Sequence, residues 1–286
     1  MPFYCRPGFT LSFELFPPKT PTGEEALYAS VKELMVFAPE VITCTYGAGG
    51  STRDKTLEIT QQVRRRFGVR VASHLTCVGS SVDQLREYLR EAAGRGVENI
   101  VALRGDPPKG ETAFTPTAGG LRYAADLVQL IKEEFPQYGI AVAGYPETHL
   151  EAISPQHDLE NLRRKVEAGG DCVITQLFYD NADFFRFREQ CLALGIQVPI
   201  VPGILPVTNL AQIQRITALC KARLPEEMVS ELGRSDDADW QFQAGVKYAT
   251  RQVQELIDSG VPGIHFYVLN KSGATSAVLR GVKRPE

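Results

Sequence analysis

The sequence predicts a (β/α)8 barrel that forms a single domain over residues 1–286. Short apolar segments of strand character alternate with segments of helical periodicity along the chain, and eight segments of the first kind occur. No linker or low-complexity tract interrupts the alternation. Eight such units in a chain of 286 residues suit a barrel better than a doubly wound sheet.

The first predicted strand runs from Phe9 to Leu15 and is followed by Pro17-Pro18. Because proline donates no backbone hydrogen bond, the chain must leave the sheet there, which places Glu14 at a strand end. Gly-rich stretches end other elements in the same way. The predicted strands cover residues 9–15, 40–46, 69–76, 97–104, 139–145, 171–178, 198–205 and 263–269.

Apolar residues at helical spacing predict the helices between these strands. Ser81 and Gln84 have the spacing of a capping box, and Gly94 ends the helix that follows. Residues 224–236 are additional to the alternating pattern, and we expect them to cover one end of the barrel. The predicted helices cover residues 22–37, 51–67, 81 to about 94, about 121–135, 156–168, 181–194, 207–220 and 237–259.

Charge and composition narrow the range of partners. A net charge of −3 and a pI near 5.9 give no reason to expect nucleic acid, and the basic run at residues 64–66 suits the last turn of a helix. No apolar run reaches the roughly 18 residues that span a bilayer, so we expect no membrane contact and a cytoplasmic protein. We also expect a homo-oligomer of unspecified size.

The six cysteines and four histidines show no metal-binding spacing. No Cys-x-x-Cys pair occurs and no two histidines stand at i and i+4, so we expect neither a metal site nor a dithiol redox motif. We interpret the cysteines as mostly buried thiols.

Polar residues gather where the predicted strands end. In a barrel of parallel strands the chemistry lies at the carboxyl ends, so this pattern predicts a functional site there. A single member such as His74 is more often a hydrogen-bonded core residue, and the joint placement carries the prediction. The residues concerned are Glu14, Thr45, His74, Arg104, Asp106, Tyr145, Glu147, His149, Gln176, Asn270 and Lys271.

Three features suggest a large ligand that contains phosphate. One is the loop Arg104-Gly105-Asp106, which carries two opposite charges around a glycine that allows close backbone approach. The stretch Gly47-Ala48-Gly49-Gly50-Ser51 lies between a strand and a helix N-terminus, where backbone donors favour anions. It lacks the third glycine of a dinucleotide fingerprint and is equally consistent with a simple Gly-rich turn. One face of the predicted helix at 156–168 is polar and is also consistent with a solvated, salt-bridged surface; it carries Asp158, Asn161, Arg164 and Lys165.

These residues combine into a pattern that resembles the methylenetetrahydrofolate reductases, in the bacterial flavin-dependent form that consists of a catalytic barrel. The resemblance covers nearly the whole chain. It rests on residues 12–19 (SFELFPPK), 45–48 (TYGA), 74–77 (HLTC), 102–106 (ALRGD), 145–147 (YPE), 174–178 (ITQLF) and 202–206 (PGILP).

The resemblance implies non-covalently bound FAD and hydride transfer from NADH or NADPH through the flavin to 5,10-methylenetetrahydrofolate. The product would be 5-methyltetrahydrofolate, which feeds methionine synthesis. It implies catalytic roles for Glu14 and Asp106, and substrate contacts at Gln176, Gln212 and Lys271. The implied flavin contacts are Thr45, Tyr46, Ala48, His74, Arg104, Gly105, Asp106, Tyr123, Ala124, Tyr145, His149, Asp158, Asn161, Arg164 and Lys165.

Glu14 suits a general acid, because opening the substrate ring requires protonation of a departing amine nitrogen. Its neighbours Phe13, Leu15 and Phe16 are apolar, so we expect its pKa to be raised. Asp106 would oppose negative charge on the reduced flavin and stabilise the cationic iminium form of the substrate.

The chain departs from the family at two positions. Lys271 stands where relatives commonly place Arg, and Ile216 stands where some place an aromatic residue. Two other hypotheses are a flavin-free hydrolase or lyase that pairs Glu14 with Glu147, and a non-catalytic folate-binding subunit.

Overall fold

The computed structural model describes residues 3–4, 8–46, 53–107, 110 and 114–285. In this part of the chain, nine parallel strand segments form one sheet in the order β7-β6-β5-β4-β3-β2-β1-β9-β8. They are β1 Thr10–Leu15, β2 Val41–Cys44, β3 Arg70–Thr76, β4 Asn99–Leu103, β5 Gly139–Gly144, β6 Cys172–Thr175, β7 Ile200–Val201, β8 Gly203–Ile204 and β9 Gly263–Tyr267.

The segments β7 and β8 are two halves of one predicted strand, separated by Pro202. The lower half, β7, pairs with β6, and the upper half, β8, pairs with β9. Proline donates no hydrogen bond, but its carbonyl still accepts one from the His265 N–H. The strand therefore joins both edges of the sheet into a nearly closed barrel, as predicted.

The helices also agree with the predicted alternation, with differences at two places. The first helix was predicted to reach Phe37, but it ends at Leu34 and continues as a 3-10 turn, Met35–Phe37. A helix after the last strand was not predicted. The helices are α1 Pro21–Leu34, α2 Arg53–Phe67, α3 Val82–Gly94, α4 Ala124–Glu134, α5 Pro155–Glu167, α6 Asn181–Ala193, α7 Leu210–Cys220, α8 Glu226–Leu232, α9 Ala238–Asp258 and α10 Gly273–Gly281.

Strand alternation separates two apolar regions. On β1, Leu11, Phe13 and Leu15 face outward and pack in the main core between sheet and helices, whereas Ser12 and Glu14 face the barrel interior. A second cluster fills the interior below Glu14. It contains Phe3, Tyr4, Val41, Ala72, Val101, Ala141, Cys172, Ile174 and Val201.

The additional segment folds as α8 and contributes Met228 and Leu232 to a third apolar cluster. This cluster also contains Leu177 and Leu205, which follow β6 and β8. The segment therefore covers part of one barrel end, as expected. Gly245 of α9 permits the close packing here, since a Cβ would lie 1.8 Å from the Val207 carbonyl oxygen.

Two further predictions concern the thiols and the capping residues. Cys44, Cys77, Cys172 and Cys191 are buried and Cys220 is partly exposed, which confirms that the described cysteines are mostly buried. The Ser81–Gln84 capping box is present, with both reciprocal hydrogen bonds.

None of the described helices is both long and apolar enough to cross a membrane.

Candidate active site

Glu14 lies inside the barrel at the end of β1 and is 6% exposed. Its Oε2 atom is 3.1 Å from Nε2 of His74 on β3 and 3.4 Å from Nε2 of His265 on β9. Both histidines are also buried. Strands β1, β3 and β9 thus bring one carboxylate and two imidazoles together, although the sequence separates them widely.

The pKa of Glu14 was predicted to be raised, and the structure contradicts this. Burial by itself raises that pKa, but the charge interaction with His74 and the hydrogen bond from His265 outweigh it and lower the pKa to about 2. The sequence argument was wrong because Phe13 and Leu15 face the opposite side of the strand. Glu14 is therefore a carboxylate at neutral pH.

The cluster extends below Glu14. The Nδ1 atom of His265 is 2.6 Å from the Ser12 hydroxyl, which is also bonded to the hydroxyl of Tyr4. Tyr267, the next interior residue of β9, donates its hydroxyl to the Thr175 carbonyl at 2.7 Å. Its ring requires Gly203 on β8, because a Cβ there would lie 2.7 Å from a ring carbon.

A second cluster of polar side chains lies in and around the loop between β5 and α5. The rings of Tyr145 and His149 meet edge to face at 4.7 Å, and Thr148 between them has a positive φ of 75°. Asp158 accepts a hydrogen bond from the His149 backbone N–H. Lys165 turns inward and donates to the Ala143 carbonyl at 2.5 Å. Burial lowers the pKa of Lys165 to about 8.

Arg104, at the end of β4, makes a two-pronged ion pair with Glu151 at 2.6 and 2.7 Å. Glu151 lies in the same loop as His149 and accepts these bonds on both oxygens. Burial lowers the pKa of His149, and the nearby Arg104 charge lowers it further. His149 Nδ1 accepts from the Glu151 N–H, so the neutral ring carries its hydrogen on Nε2.

The remaining predicted flavin contacts divide into three groups. Thr45 and Tyr46 are buried after β2, and Ala48 lies outside the described residues. Asn161 and Arg164 contact each other at 3.3 Å on the outer part of the α5 face, so that face is split between inward and outward residues. Asp106 and Tyr123 have exposed side chains. Gly105 is partly buried, and Ala124 is the first residue of α4.

The predicted substrate contacts differ in accessibility. Gln176, after β6, is partly buried, and its side-chain oxygen accepts from the Leu177 N–H. Gln212 lies in the first turn of α7, and Lys271 is exposed. Asn270 serves the fold, because its amide bonds to both the N–H and the carbonyl of Phe16.

Two threonine hydroxyls and one glycine stand out near the mouth of the barrel. The hydroxyl oxygens of Thr43 and Thr76, which share the interior face with Glu14 and His74, are buried and have no hydrogen-bond partner among the described residues. Gly105 has a φ of +87°, and a Cβ there would lie 2.6 Å from Val78. Glycine therefore keeps the loop after β4 tight against the β3 end.

The alternative pairing of Glu14 with Glu147 is absent from the described contacts. Glu147 accepts from the Arg223 backbone N–H at 2.8 Å, and burial raises its pKa. Glu14 instead contacts the two histidines. Across the described ranges, no group of three or more His, Cys, Asp and Glu side chains has the arrangement of a metal site.

Sequence reasoning missed His265, Ser12 and Glu151. His265 stands inside an apolar strand and Ser12 stands two residues before Glu14, so neither falls at a predicted strand end. The available signal was alternation, since Ser12 and Glu14 must share a face and the last strand must pair with the first. Glu151 is an exposed loop residue with no motif.

This chain is similar in sequence to several known proteins. A family model described as methylenetetrahydrofolate reductase matches residues 6–283. The 5,10-methylenetetrahydrofolate reductase of Escherichia coli K12 is 40% identical over 94% of this chain and 88% of its own length. Methylenetetrahydrofolate reductase (NADH) 1 of Arabidopsis thaliana is 38% identical, again over 94% of this chain. The match covers 47% of that plant protein, so this chain spans about half its length.

A solved structure shares the fold at low sequence identity. It is an uncharacterized protein from Clostridium thermocellum that binds two copies of 5-methyl-5,6,7,8-tetrahydrofolic acid. Its TM-score is 0.62 at 12% identity, and the alignment covers 96% of this chain and 94% of that one. The likeness supports the barrel fold.

Proposed function

The chain belongs to the methylenetetrahydrofolate reductase family, and on that premise we propose that residues 1–286 form a catalytic domain that reduces 5,10-methylenetetrahydrofolate to 5-methyltetrahydrofolate. The observation that carries the proposal is the buried cluster of Glu14, His74 and His265 at the mouth of the barrel.

The proposed cofactor is non-covalent FAD, with NADH or NADPH as co-substrate. The chemistry that bound FAD would supply is hydride transfer from the nicotinamide to the folate carbon. The plant relative carries NADH in its name, which favours NADH. The residues that would hold the cofactor are those around Thr45, His74, Arg104 and the α5 face. The product would enter methionine synthesis.

The first task of the protein's own residues is to donate a proton to the departing amine nitrogen of the substrate. Because Glu14 is a carboxylate, the two histidine nitrogens that face it must be the hydrogen donors. The cluster therefore holds hydrogen directly beside Glu14. We propose that the cluster takes up one proton from solvent, that Glu14 passes this proton to the departing nitrogen, and that the histidine N–H groups keep their hydrogens, so that the acid is the cluster as a unit.

Other residues orient the substrate. Gln176 has an amide group that can face the pterin edge, and Gln212 and Lys271 lie on the outer side of the same barrel end. Asp106 places a negative charge at the rim near Arg104, where it would stabilise a cationic substrate form. Its exposure limits this effect, because water screens the charge.

The reductase proposal is tested by the spectrum of the purified protein before and after addition of FAD. We expect flavin absorbance that NADH bleaches under anaerobic conditions and that 5,10-methylenetetrahydrofolate restores, with 5-methyltetrahydrofolate detected by mass spectrometry. A protein that takes up no FAD would refute the proposal. A flavin that NADH or NADPH bleaches but folate does not restore would refute the folate step. The cytoplasmic location and the homo-oligomer stay predictions from the sequence.

A further inference from the structure

We infer that Tyr4 is a positioning residue for the active site, acting through Ser12 on the hydrogen position of the His265 ring. The inference rests on the proposed function, because the His265 ring matters through its contact with Glu14. Tyr4 lies near the start of the chain, ten residues before Glu14, and no sequence motif includes it.

The contact chain is continuous and buried. Tyr4 is 4% exposed and packs inside the barrel beside Phe3, with the two rings stacked at 6.3 Å. Its hydroxyl is bonded to Ser12 Oγ, and Ser12 Oγ lies 2.6 Å from His265 Nδ1. The far side of the same ring reaches Glu14, with 3.4 Å between Nε2 and Oε2.

For a neutral His265 ring, chemistry fixes the direction of these hydrogen bonds. The Glu14 carboxylate only accepts, so His265 Nε2 must carry hydrogen. In the neutral ring Nδ1 is then an acceptor, and Ser12 must donate to it. The Ser12 oxygen is left to accept, and the hydroxyl of Tyr4 donates to it. Tyr4 therefore favours the one tautomer in which His265 presents hydrogen to Glu14.

Tyr4 is suited to this role because it stays protonated. Burial raises its pKa well above the usual value for tyrosine, and the nearby Cys172 and Glu40 raise it further, against the opposing bond to Ser12. The hydroxyl consequently keeps its hydrogen through the physiological range. Without it, the Ser12 hydroxyl can reorient and its bond to Nδ1 weakens.

Tyr138 provides a matched control. It is 3% exposed and donates its hydroxyl to the Leu89 carbonyl at 2.6 Å, between α3 and the start of β5. Tyr138→Phe removes a buried tyrosine hydroxyl and one hydrogen bond, as Tyr4→Phe does. Tyr138 has no described contact with Glu14 or either histidine of the cluster.

The experiment compares parent, Tyr4→Phe and Tyr138→Phe in the FAD-loaded protein by two measurements. The first is the ¹⁵N NMR spectrum of labelled histidine rings, which is tractable because the chain has four histidines. The second is the rate at which methylenetetrahydrofolate reoxidises the reduced flavin, beside the rate of flavin reduction by NADH.

We expect Tyr4→Phe to move the His265 ring signals toward a mixture of tautomers and to slow the folate step about fivefold, the scale of one hydrogen bond. Flavin reduction by NADH should be unchanged, and Tyr138→Phe should alter neither measurement. In a Ser12→Ala background, Tyr4→Phe should add no further loss, because the link is already broken.

Unchanged His265 signals in Tyr4→Phe would overturn the inference, whatever the activity. Equal changes in Tyr138→Phe would also overturn it, because they would reflect general destabilisation. If the parent lacks folate turnover while the His265 signals respond to Tyr4→Phe, the proposed function fails and the link from Tyr4 to His265 stands.

Discussion

The two halves of the site hold their polar groups in different ways. The half around Glu14 is built on strands β1, β3 and β9, and its three titratable side chains are nearly inaccessible. The half around Arg104 and Lys165 is built on the loops after β4 and β5 and on α5. Its central ion pair is partly exposed, with 22% of the Arg104 side chain and 45% of the Glu151 side chain accessible.

The partners differ as well. In the strand half, Glu14 Oε2 contacts both histidines, and His265 Nδ1 contacts the Ser12 hydroxyl. In the loop half, the Lys165 ammonium bonds a backbone carbonyl, and Arg104 depends on a solvent-exposed carboxylate. Thr148, with a positive φ, adds backbone strain to the same loop.

This difference indicates two tasks. A buried cluster on neighbouring strands is fixed before any ligand arrives, which suits proton transfer at a defined atom. Cations with weak or exposed partners can exchange them for the negative groups of a ligand at low cost, which suits the binding of a phosphate-containing cofactor. Chemistry and cofactor binding should therefore respond separately to substitution.

The largest expected effect comes from Glu14→Gln in the strand half. We expect the folate step to slow about 10²-fold or more, the scale of a lost acid catalyst, because glutamine cannot transfer a proton. Flavin reduction by NADH involves no ring opening and should keep its rate. The check is anaerobic stopped-flow measurement of both half-reactions.

Glu147→Gln is the matched control for this prediction, because it alters the other carboxylate of the rejected pair. We expect it to leave the folate step within a few-fold of the parent. If Glu14→Gln slowed both half-reactions equally, the division between the two halves would be wrong.

A smaller effect is expected from Lys165→Met in the loop half. Loss of the cation should weaken FAD binding about tenfold, which corresponds to roughly 1.4 kcal/mol. The same change should stabilise the protein without cofactor at pH 7 by about 1 kcal/mol, or about 2–4 °C in Tm, since the folded protein buries a charged ammonium. FAD titration and thermal unfolding measure the two effects.

The pH dependence of this stabilisation has a defined sign. Burial lowers the pKa of Lys165 in the folded protein to about 8, from an ordinary value of 10.5. The unfolded chain binds more protons between these values, so parent stability should rise through this range and the gain from Lys165→Met should shrink. Lys247→Met, at an exposed position of α9, is the control and should change neither FAD binding nor this slope.

The smallest effect is expected at Lys271, which lies outside both halves. An exposed cation facing the carboxylates of a folate tail contributes only about 0.2–1 kcal/mol and is screened by salt. Lys271→Ala should raise the KM for folate a few-fold at low ionic strength and leave kcat unchanged. Lys271→Arg should preserve or tighten binding. A KM for Lys271→Ala that equals the parent value at every salt concentration would assign Lys271 to the solvated surface.

The fold could be predicted from the sequence because its signals are local. Alternation, Pro17-Pro18 and the Ser81 cap each act within a few residues. The pairing of Glu14 with His265 could not be predicted, because 251 positions separate the two residues and only closure of the barrel brings them together. The pKa of Glu14 was mispredicted for the same reason, as its sequence neighbours face away and its spatial neighbours are histidines.

The loop half of the site was even harder to predict from the sequence. The α5 face was visible as a polar stripe, but its division into inward Asp158 and Lys165 and outward Arg164 depends on the packing of α5 against β5. Glu151 became significant only through its distance from Arg104. Such pairings depend on the conformation of the loop, which residue types alone do not determine.

The ionisation of Glu14 is tested most directly by infrared spectroscopy of its carboxyl group. Spectra of the parent and of Glu14→Gln, recorded at pH 7 without substrate, are subtracted to isolate this side chain. We predict carboxylate stretching bands and no carboxylic acid C=O band in the difference, because His74 and His265 lower the pKa to about 2. A carboxylic acid band present in the parent at pH 7 and absent from Glu14→Gln would contradict the proton arrangement described here.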